Sequence, residues 1–295
     1  MKIHTFITNF GKDFEILDAG EGEKLERWGS VVIRRPEPQA VWQKNWPEQK
    51  WSDYSHITYK AKNTHAGTWE KKDSRVPDKW LIHYQSKQLR LSFRLSLTAF
   101  KHLGLFPEQA NNWEFVARLC GKIPQAKVLN LFAYTGGATL AAAQQGASIT
   151  HLDAVKQIVT WANENATLNK LDNIRWIIDD ALKFTKREIA RGKKYHGIML
   201  DPPAFGHGSQ GERWKLEDQI NELMQLVAQL LAPPPHFVVL NTYSLGFSPM
   251  ILSNLMQIHL APPVNTLEVG ELCLPICANT ATLLPLGVVA RYFKE

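Results

Sequence analysis

Cysteine is scarce in this sequence of 295 residues, which contains only Cys120, Cys273 and Cys277. An odd and sparse set does not suit a disulfide framework and is typical of reduced thiols in a cytoplasmic protein. A zinc site is not indicated either, because no second Cys/His pair accompanies Cys273 and Cys277. We therefore expect a cytoplasmic protein without a metal.

Long apolar runs are also missing. No stretch reaches 18 residues without a charge or a helix breaker, which excludes a membrane helix, and the first residues lack the apolar core of a signal peptide. Internal repeats and low-complexity tracts are absent. With 44% apolar and 21% charged residues, the composition is that of a globular protein with no membrane partner.

Positive charge is concentrated in the first third of the chain. The formal net charge is +6, and residues 1–100 hold 17 Lys/Arg against 12 Asp/Glu. Basic residues interleaved with aromatics suit a nucleic-acid surface, but a small β module that buries its aromatics would show the same composition. Both interpretations stay open for the six tryptophans of this region, Trp28, Trp42, Trp46, Trp51, Trp69 and Trp80.

The pattern of apolar residues divides the chain into two predicted domains. Residues 1–96 read as a small β-rich domain, because short apolar strands such as Phe14–Leu17 and Val31–Ile33 are separated by glycine turns. Further strands are predicted at Trp80–Tyr84 and Leu89–Leu97. Spacing of three to four predicts helical pieces between Thr98 and Cys120, interrupted from Gly104 to Pro107.

Residues 97–295 alternate strands with helices, which predicts a doubly wound α/β fold of the Rossmann-like class. We expect a mostly parallel sheet whose last strand is antiparallel. The predicted strands lie at 128–132, 148–152, 174–178, 196–200, 237–241, 264–274 and 283–292. Asp153, Asp180 and Asp201 each follow a strand, so the three carboxylates should line one crevice at the carboxyl edge of the sheet.

The segment from Asn130 to Gly137 predicts a ligand-binding loop. Glycines after a strand allow a sharp turn and close approach to a ligand, and the following helix offers free N–H groups. Asp153 lies 17 residues after Gly136, near the position where such folds bind a ribose. The G-x-G-x-x-G fingerprint is absent, which disfavours a nicotinamide or flavin enzyme.

The segment Asp201-Pro202-Pro203-Ala204-Phe205 predicts an acceptor site. Two prolines remove two N–H donors, so the carbonyl groups and the Asp201 carboxylate face a substrate as hydrogen-bond acceptors, which suits an amine. Phe205 offers a ring on which a base could stack. We expect Asp201, Pro202 and Phe205 to carry the transfer chemistry.

Four segments, NLFAYTGGATLAAA, HLDAVKQIVTWANENATLNKL, IIDDALKF and IMLDPPAFG, occur in this order. Together they resemble the motifs of class I S-adenosylmethionine-dependent methyltransferases, in particular the bacterial ribosomal RNA large-subunit methyltransferase group. The resemblance covers about residues 97–295 and implies S-adenosylmethionine as cofactor and RNA as substrate. The cofactor contacts that it implies are Gln109, Phe132, Tyr134, Thr135, Gly136, Gly137, Asp153, Ala154, Asp180, Ala181 and Asp201.

Within that set, the resemblance implies that the glycine-rich loop holds the methionine part of the cofactor. It also implies that Asp153 binds the cofactor ribose and that Asp180 binds the adenine amine. The chain departs from the family at two places. Gln109 stands where the family commonly has an arginine, so no charged clamp is supplied there. Asn241–Ser244 contains no cysteine where the cytosine-C5 members have their nucleophile, which disfavours a covalent C5 mechanism.

Three functions therefore remain open from the sequence. The first is methyl transfer to a base of ribosomal RNA without a cysteine nucleophile, with residues 1–96 helping to dock the RNA. The second is a methyltransferase of the same fold that acts on a small molecule or a protein. The third is a non-catalytic cofactor-binding or RNA-binding module.

Overall fold

The computed structural model describes residues 2–62, 66–208, 211–244, 246–263 and 265–295. The chain forms two compact units. The first comprises Met1–Phe6, Gln109–Leu272 and Gly287–Glu295, and the second comprises Ile7–Glu108 and Cys273–Leu286. Among the described residues, no helix combines the length and the apolar character that crossing a membrane requires.

The elements are numbered in chain order. The strands are β1 (Ile3–Ile7), β2 (Phe14–Gly20), β3 (Glu23–Trp28), β4 (Val31–Pro36), β5 (Ile57–Ala61), β6 (Gly67–Lys71), β7 (Lys79–Gln85), β8 (Arg90–Ser96), β9 (Lys127–Leu131), β10 (Ser148–Asp153), β11 (Ile174–Ile178), β12 (Gly197–Leu200), β13 (Phe205–His207), β14 (Arg213–Lys215), β15 (His236–Thr242), β16 (Glu268–Pro275) and β17 (Leu283–Lys294). The helices are α1 (Glu48–Tyr54), α2 (Ala110–Cys120), α3 (Gly137–Gln144), α4 (Lys156–Leu168), α5 (Ala181–Ala190), α6 (Leu216–Leu230) and α7 (Pro249–Leu260).

The larger sheet has the order β1-β16-β17-β15-β12-β9-β10-β11. Strands β11, β10, β9, β12 and β15 pair in parallel, and β17 pairs antiparallel to β15. The chain runs outward from β9 to β11 on one side and from β12 to β15 on the other, so the order reverses between β9 and β12. This arrangement confirms the predicted α/β class with an antiparallel last strand.

Alternate residues of the central strands pack into two separate cores. Leu129 and Leu131 of β9 belong to one buried cluster with α5, α6 and α7, whereas Val128 belongs to a second cluster with α2 and α3. This alternation follows from the two-residue repeat of a strand. Because helices cover both faces, all four residues of β12 are buried. Each fully buried aliphatic side chain contributes about 1.5–3 kcal/mol to folding, so the central strands are firmly held.

The second unit is β-rich, as predicted. It contains a five-stranded sheet of order β2-β3-β4-β5-β6 and the separate hairpin β7-β8. Leu17, Leu25, Val32 and Trp51 form a buried cluster in this unit. Buried aromatic and aliphatic side chains therefore account for much of the apolar content of the first third.

Two sequence predictions differ from the structure. The predicted helical piece around Phe100 and Leu103 is wrong, since residues 98–106 are not helical; a 3-10 helix at Pro107–Gln109 precedes α2, which begins at Ala110. The predicted interruption at Gly104 is present, and its φ of 98° is incompatible with a right-handed helix. The strand predicted from Val264 begins at Glu268, and Val264 itself lies outside the described residues.

Candidate active site

The carboxyl ends of β9 and β12 define the candidate site. These two strands are adjacent and parallel, with Leu200 opposite Leu131 in the register. The loop after β9 contains Phe132 to Gly136, and the loop after β12 begins at Asp201. In open α/β sheets, ligands bind where the strand order reverses, in the crevice between two such loops. The two segments singled out in the sequence therefore meet at the expected position.

The loop after β9 adopts a left-handed backbone at three residues. Phe132 and Tyr134 have φ values of 56° and 50°, and Gly136 has a φ of 93°. For residues with a side chain this conformation costs about 1–2 kcal/mol, so surrounding contacts must hold Phe132 and Tyr134 in place. Strain of this kind is concentrated at ligand-binding sites.

Gly137 is required by close packing. It begins α3, and a Cβ atom at this position would lie 2.5 Å from a ring carbon of Trp113. Gly136 precedes it in the left-handed conformation that glycine adopts at little cost. The first N–H groups of α3 have no acceptor within the helix, so they are available to a ligand.

Asp153 ties this loop to the end of β10. One carboxylate oxygen accepts a hydrogen bond of 3.0 Å from the backbone N–H of Tyr134, and the other accepts one of 3.0 Å from that of Val155. Burial raises the pKa of Asp153, and these backbone hydrogen bonds oppose that rise. The backbone N–H of Ala154 also interacts with this carboxylate. A carboxylate has about four acceptor positions, so Asp153 can still accept a hydrogen bond from a ligand hydroxyl group.

Buried polar side chains support the loop from below. Asn165 of α4 donates to the carbonyl oxygen of Thr135 at 3.0 Å. Asn130 donates to the Thr139 hydroxyl at 2.9 Å, and this hydroxyl lies 2.9 Å from Nδ1 of His151. His151 is fully buried, and desolvation lowers its pKa to about 3. Asn130, Thr139 and His151 lie on β9, α3 and β10, and no local sequence pattern connects them.

Asp180 lies at the amino end of α5. Its side chain accepts a hydrogen bond of 2.9 Å from the backbone N–H of Lys183, so it caps the helix. Ala181, the next residue, is buried, and Ala154 is partly exposed after Asp153. Asp153 and Asp180 lie at neighbouring strand ends, because Asp153 at the end of β10 pairs with Ile178 at the end of β11.

The residues around these carboxylates fit the nucleoside part of the expected cofactor. Val155 and Ile178 are apolar yet 44% and 43% exposed. Apolar surface beside Asp153 and Asp180 suits a planar base, while the two carboxylates offer acceptors for hydroxyl and amine donors. Polar and apolar groups of this kind are what a ribose with an attached base requires.

Asp201 is held by side-chain amides. Asn241, at the end of β15, donates to Oδ1 at 2.8 Å, and Gln109 Nε2 lies 3.4 Å from Oδ2. Gln109 also donates to the hydroxyl of Tyr243 at 3.1 Å. Desolvation raises the pKa of Asp201 to about 6, although the Asn241 hydrogen bond opposes this rise. Asn241 and Tyr243 were noted in the sequence only for the absence of a cysteine there, so their contacts were missed.

The residues after Asp201 form a rigid turn with an exposed ring. Phe205 is 67% exposed at the start of β13. The Trp214 indole donates to the carbonyl oxygen of Pro203 at 2.6 Å, and its ring centre lies 4.8 Å from that of Phe132. Trp214 therefore contacts both the loop after β9 and the turn after β12. Ser209 and Gln210 of the adjoining polar loop lie outside the described residues.

The cysteines are not arranged for chemistry at this site. Cys120 and Cys273 are buried and Cys277 is exposed. Burial raises the pKa of Cys120 to about 12, so its thiolate is disfavoured. Within the described residues, no group of three or more His, Cys, Asp or Glu side chains is placed to hold a metal ion.

The chain is similar to known proteins over most of its length. Residues 53–253 match the family model described as S-adenosylmethionine-dependent methyltransferase. The crystal structure of an S-adenosylmethionine-dependent methyltransferase from Agrobacterium tumefaciens superimposes with a TM-score of 0.91 at 32% identity, covering 99% of this chain and 94% of the other.

Two curated relatives are named ribosomal RNA large subunit methyltransferase K/L. The protein from Shewanella sp. strain MR-4 is 31% identical over 204 residues, and the one from Shewanella frigidimarina is 32% identical over 192 residues. These alignments cover 64% and 63% of this chain. The chain spans about a quarter of the length of these relatives, 26% and 25%.

Proposed function

Because the chain belongs to the S-adenosylmethionine-dependent methyltransferase family, we propose that it methylates an exocyclic amine of a base in ribosomal RNA. One observation carries the choice of acceptor. The Asp201 carboxylate is fixed by Asn241 and Gln109 and is followed by two prolines and the exposed ring of Phe205. A carboxylate acceptor beside an exposed ring suits a planar group that carries an N–H donor.

The bound cofactor supplies the methyl group on a sulfonium, and the protein positions the acceptor. Asp201 accepts a hydrogen bond from the amine, which orients the nitrogen lone pair and leaves an acceptor for the proton that is lost after transfer. With a pKa of about 6, Asp201 is ionised at neutral pH and basic enough to share that proton. Phe205 stacks on the base once it leaves its helix.

The side chains of the site suit methylation of a ring carbon less well than methylation of an amine. That chemistry needs a cysteine nucleophile that adds to the base. The positions after β15 are Asn241, Thr242 and Tyr243, and Asn241 is engaged with Asp201. Since Cys120 lies on α2 with a disfavoured thiolate, an amine remains the acceptor that these side chains suit.

Ribosomal RNA as the substrate is supported by the names of the Shewanella relatives and by the positive charge of the first third. We assign residues 97–295 to methyl transfer and residues 1–96 to substrate docking. We propose the cytoplasm as the place of this activity, because an RNA substrate of this class is found there. Small molecules and proteins as acceptors gain no support from a specific feature of the site.

A methyl-transfer assay tests the proposal. Tritiated S-adenosylmethionine is incubated with the protein and with large-subunit ribosomal RNA transcribed in vitro, and the product is digested to nucleosides. We expect label in a nucleoside methylated on its amine. Label in a C5-methylated pyrimidine would refute the choice of acceptor atom. No label in RNA, from protein that binds the cofactor by calorimetry, would refute the RNA substrate.

A further inference from the structure

The excess positive charge of the first third lies almost entirely in one hairpin. Residues 79–96, which span β7 and β8, contain Lys79, Lys87, Arg90 and Arg94 and no Asp or Glu. Residues 1–78 contain 13 Lys/Arg and 12 Asp/Glu, so they are nearly neutral. The uneven distribution indicates that the hairpin has a different role from the five-stranded sheet.

Several basic residues of the five-stranded sheet are used in internal ion pairs. Lys24 pairs with Glu37 at 2.9 Å, Arg35 pairs with Glu26 at 2.5 Å, and Arg34 pairs with Glu23 at 2.6 Å. Burial alone would raise the pKa of Glu26, but Arg35 and Lys24 hold it at about 2. These cations are neutralised by carboxylates within the unit and add little to the field outside it.

The hairpin β7-β8 has one packed face and one face that is more exposed, the open face, and Lys87 lies in the turn between its strands. The antiparallel register sets Leu81 opposite Arg94 and Gln85 opposite Arg90, and side chains alternate between the two faces. One face is packed and consists largely of apolar side chains: Ile82, Tyr84, Leu91, Phe93 and Leu95 are buried. The other face carries Lys79, Leu81, His83, Gln85, Arg90, Ser92, Arg94 and Ser96.

Lys79 and Lys87 are exposed and form no ion pair with any carboxylate among the residues the structure describes. Asp13 lies at the margin of the hairpin, where it accepts a hydrogen bond of 2.8 Å from the backbone N–H of His83. The hairpin therefore presents Lys79 and Lys87 to solvent and contributes no acidic residue of its own, which suits contact with a polyanion.

Aromatic stacking is not the basis of this surface. The indole of Trp80 donates to the carbonyl oxygen of Trp28 at 3.2 Å, and that of Trp69 donates to Thr98 at 2.7 Å. Trp28 and Trp51 are fully buried. The tryptophans of this unit are thus engaged in the fold. Binding of a nucleic acid by this face therefore has to depend on charge contacts with phosphates and not on stacking with bases.

We propose that the open face of the β7-β8 hairpin docks the phosphate backbone of RNA. This inference builds on the proposed function, since it assigns the substrate a second contact surface, remote in sequence from Asp201. Phosphate contacts position an RNA without reading its bases. The surface therefore raises affinity and sets orientation, while selection of the methylated base belongs to the residues around Asp201 and Phe205.

The test removes two exposed cations that form no ion pair with the residues the structure describes. The variant is Lys79→Gln/Lys87→Gln, and the matched control is Lys122→Gln/Lys170→Gln, which removes two exposed cations from the other unit. The probe is unmodified large-subunit ribosomal RNA in a filter-binding assay at 50–200 mM salt. We expect the dissociation constant of the hairpin variant to rise about tenfold and its salt slope to fall by about 1.4–1.8.

Steady-state methylation gives a second readout. KM for the RNA should rise in the hairpin variant while kcat stays unchanged, and the control should match the wild type in both. Unchanged affinity and salt slope in the hairpin variant, with wild-type methylation of RNA, would overturn the docking surface and leave the proposed function standing. RNA binding that depends on the hairpin, without any methylation of RNA, would support the docking surface and refute the proposed function. Thermal unfolding of both variants confirms that each is folded.

Discussion

The two sides of the candidate crevice, the proposed cofactor side and the proposed acceptor side, are built by different means. On the cofactor side, the loop after β9 is held through its main chain, by Asp153 on the Tyr134 N–H and by Asn165 on the Thr135 carbonyl. On the acceptor side, Asp201 is held by the side-chain amides of Asn241 and Gln109. Main-chain contacts fix the shape of a loop, whereas side-chain contacts tune the protonation of one group.

This difference separates two kinds of defect. Changes on the cofactor side should alter the dissociation constant of S-adenosylmethionine, and higher cofactor concentration should compensate for them. Changes on the acceptor side should alter kcat or the use of RNA, and cofactor concentration should not compensate. The predictions below test that separation, beginning with the largest expected effect.

Asp201→Asn should lower kcat by about 100- to 1000-fold, because the amide cannot take up the proton of the acceptor amine. The cofactor dissociation constant, measured by calorimetry, should change by no more than about tenfold, which corresponds to the net free energy of one hydrogen bond. An equal loss in cofactor affinity and in kcat would contradict the separation, because it would place Asp201 mainly on the cofactor side.

Asp153→Ala should weaken S-adenosylmethionine binding by about 5- to 150-fold, equivalent to about 1–3 kcal/mol. The substitution removes an acceptor for the ribose and also releases the Tyr134 N–H. At saturating cofactor, kcat should return to near the wild-type value. Asp172→Ala, an exposed carboxylate on a loop, is the control and should bind normally. Calorimetry that finds unchanged affinity in Asp153→Ala would remove Asp153 from the site.

Phe205→Ala should raise KM for RNA by about tenfold, the typical loss when one base loses its stacking partner. Stability should be unaffected because the ring is 67% exposed. Phe100→Ala is a matched control, since Phe100 is 57% exposed and lies outside the proposed site. The same KM in both variants would show that the exposed ring of Phe205 does not contact the base.

Much of this arrangement could be predicted from the sequence because it depends on local patterns. The strands β9, β10, β11 and β12 follow from short apolar runs, and the carboxylates at their ends follow from the parallel connection of strands and helices. The glycine pair at Gly136 and Gly137 likewise predicted a turn into a helix.

Side-chain partnerships over long sequence distances could not be predicted. Asn241 is 40 residues from Asp201 and Gln109 is 92 residues from it, and no periodicity connects such positions. The left-handed backbone at Phe132 and Tyr134 was also missed, because nothing in their residue types favours a positive φ. The absence of a cysteine after β15 drew attention to Asn241 without revealing its role.

The smallest predicted effect, and the finest test of the comparison, is the response to pH. The pKa of Asp201 is raised from its usual 3.8 to about 6 by burial, and in the proposed mechanism the ionised form accepts the hydrogen bond from the amine. kcat should therefore rise with pH, from about one tenth of its plateau at pH 5 to half at pH 6. A flat kcat between pH 5 and 7.5 would contradict this role.

The stability of the fold should fall with rising pH in this range, whereas kcat should rise. A raised pKa in the folded state means that folding favours the neutral acid, so the contribution of Asp201 to stability is present below about pH 4 and is lost as the pH rises to about 6. Thermal unfolding of the wild type and Asp201→Asn across this range isolates the contribution, because the amide does not titrate. The same carboxyl group would then lower the stability of the fold in the pH range where it becomes active, as expected of a buried acid retained for its chemistry.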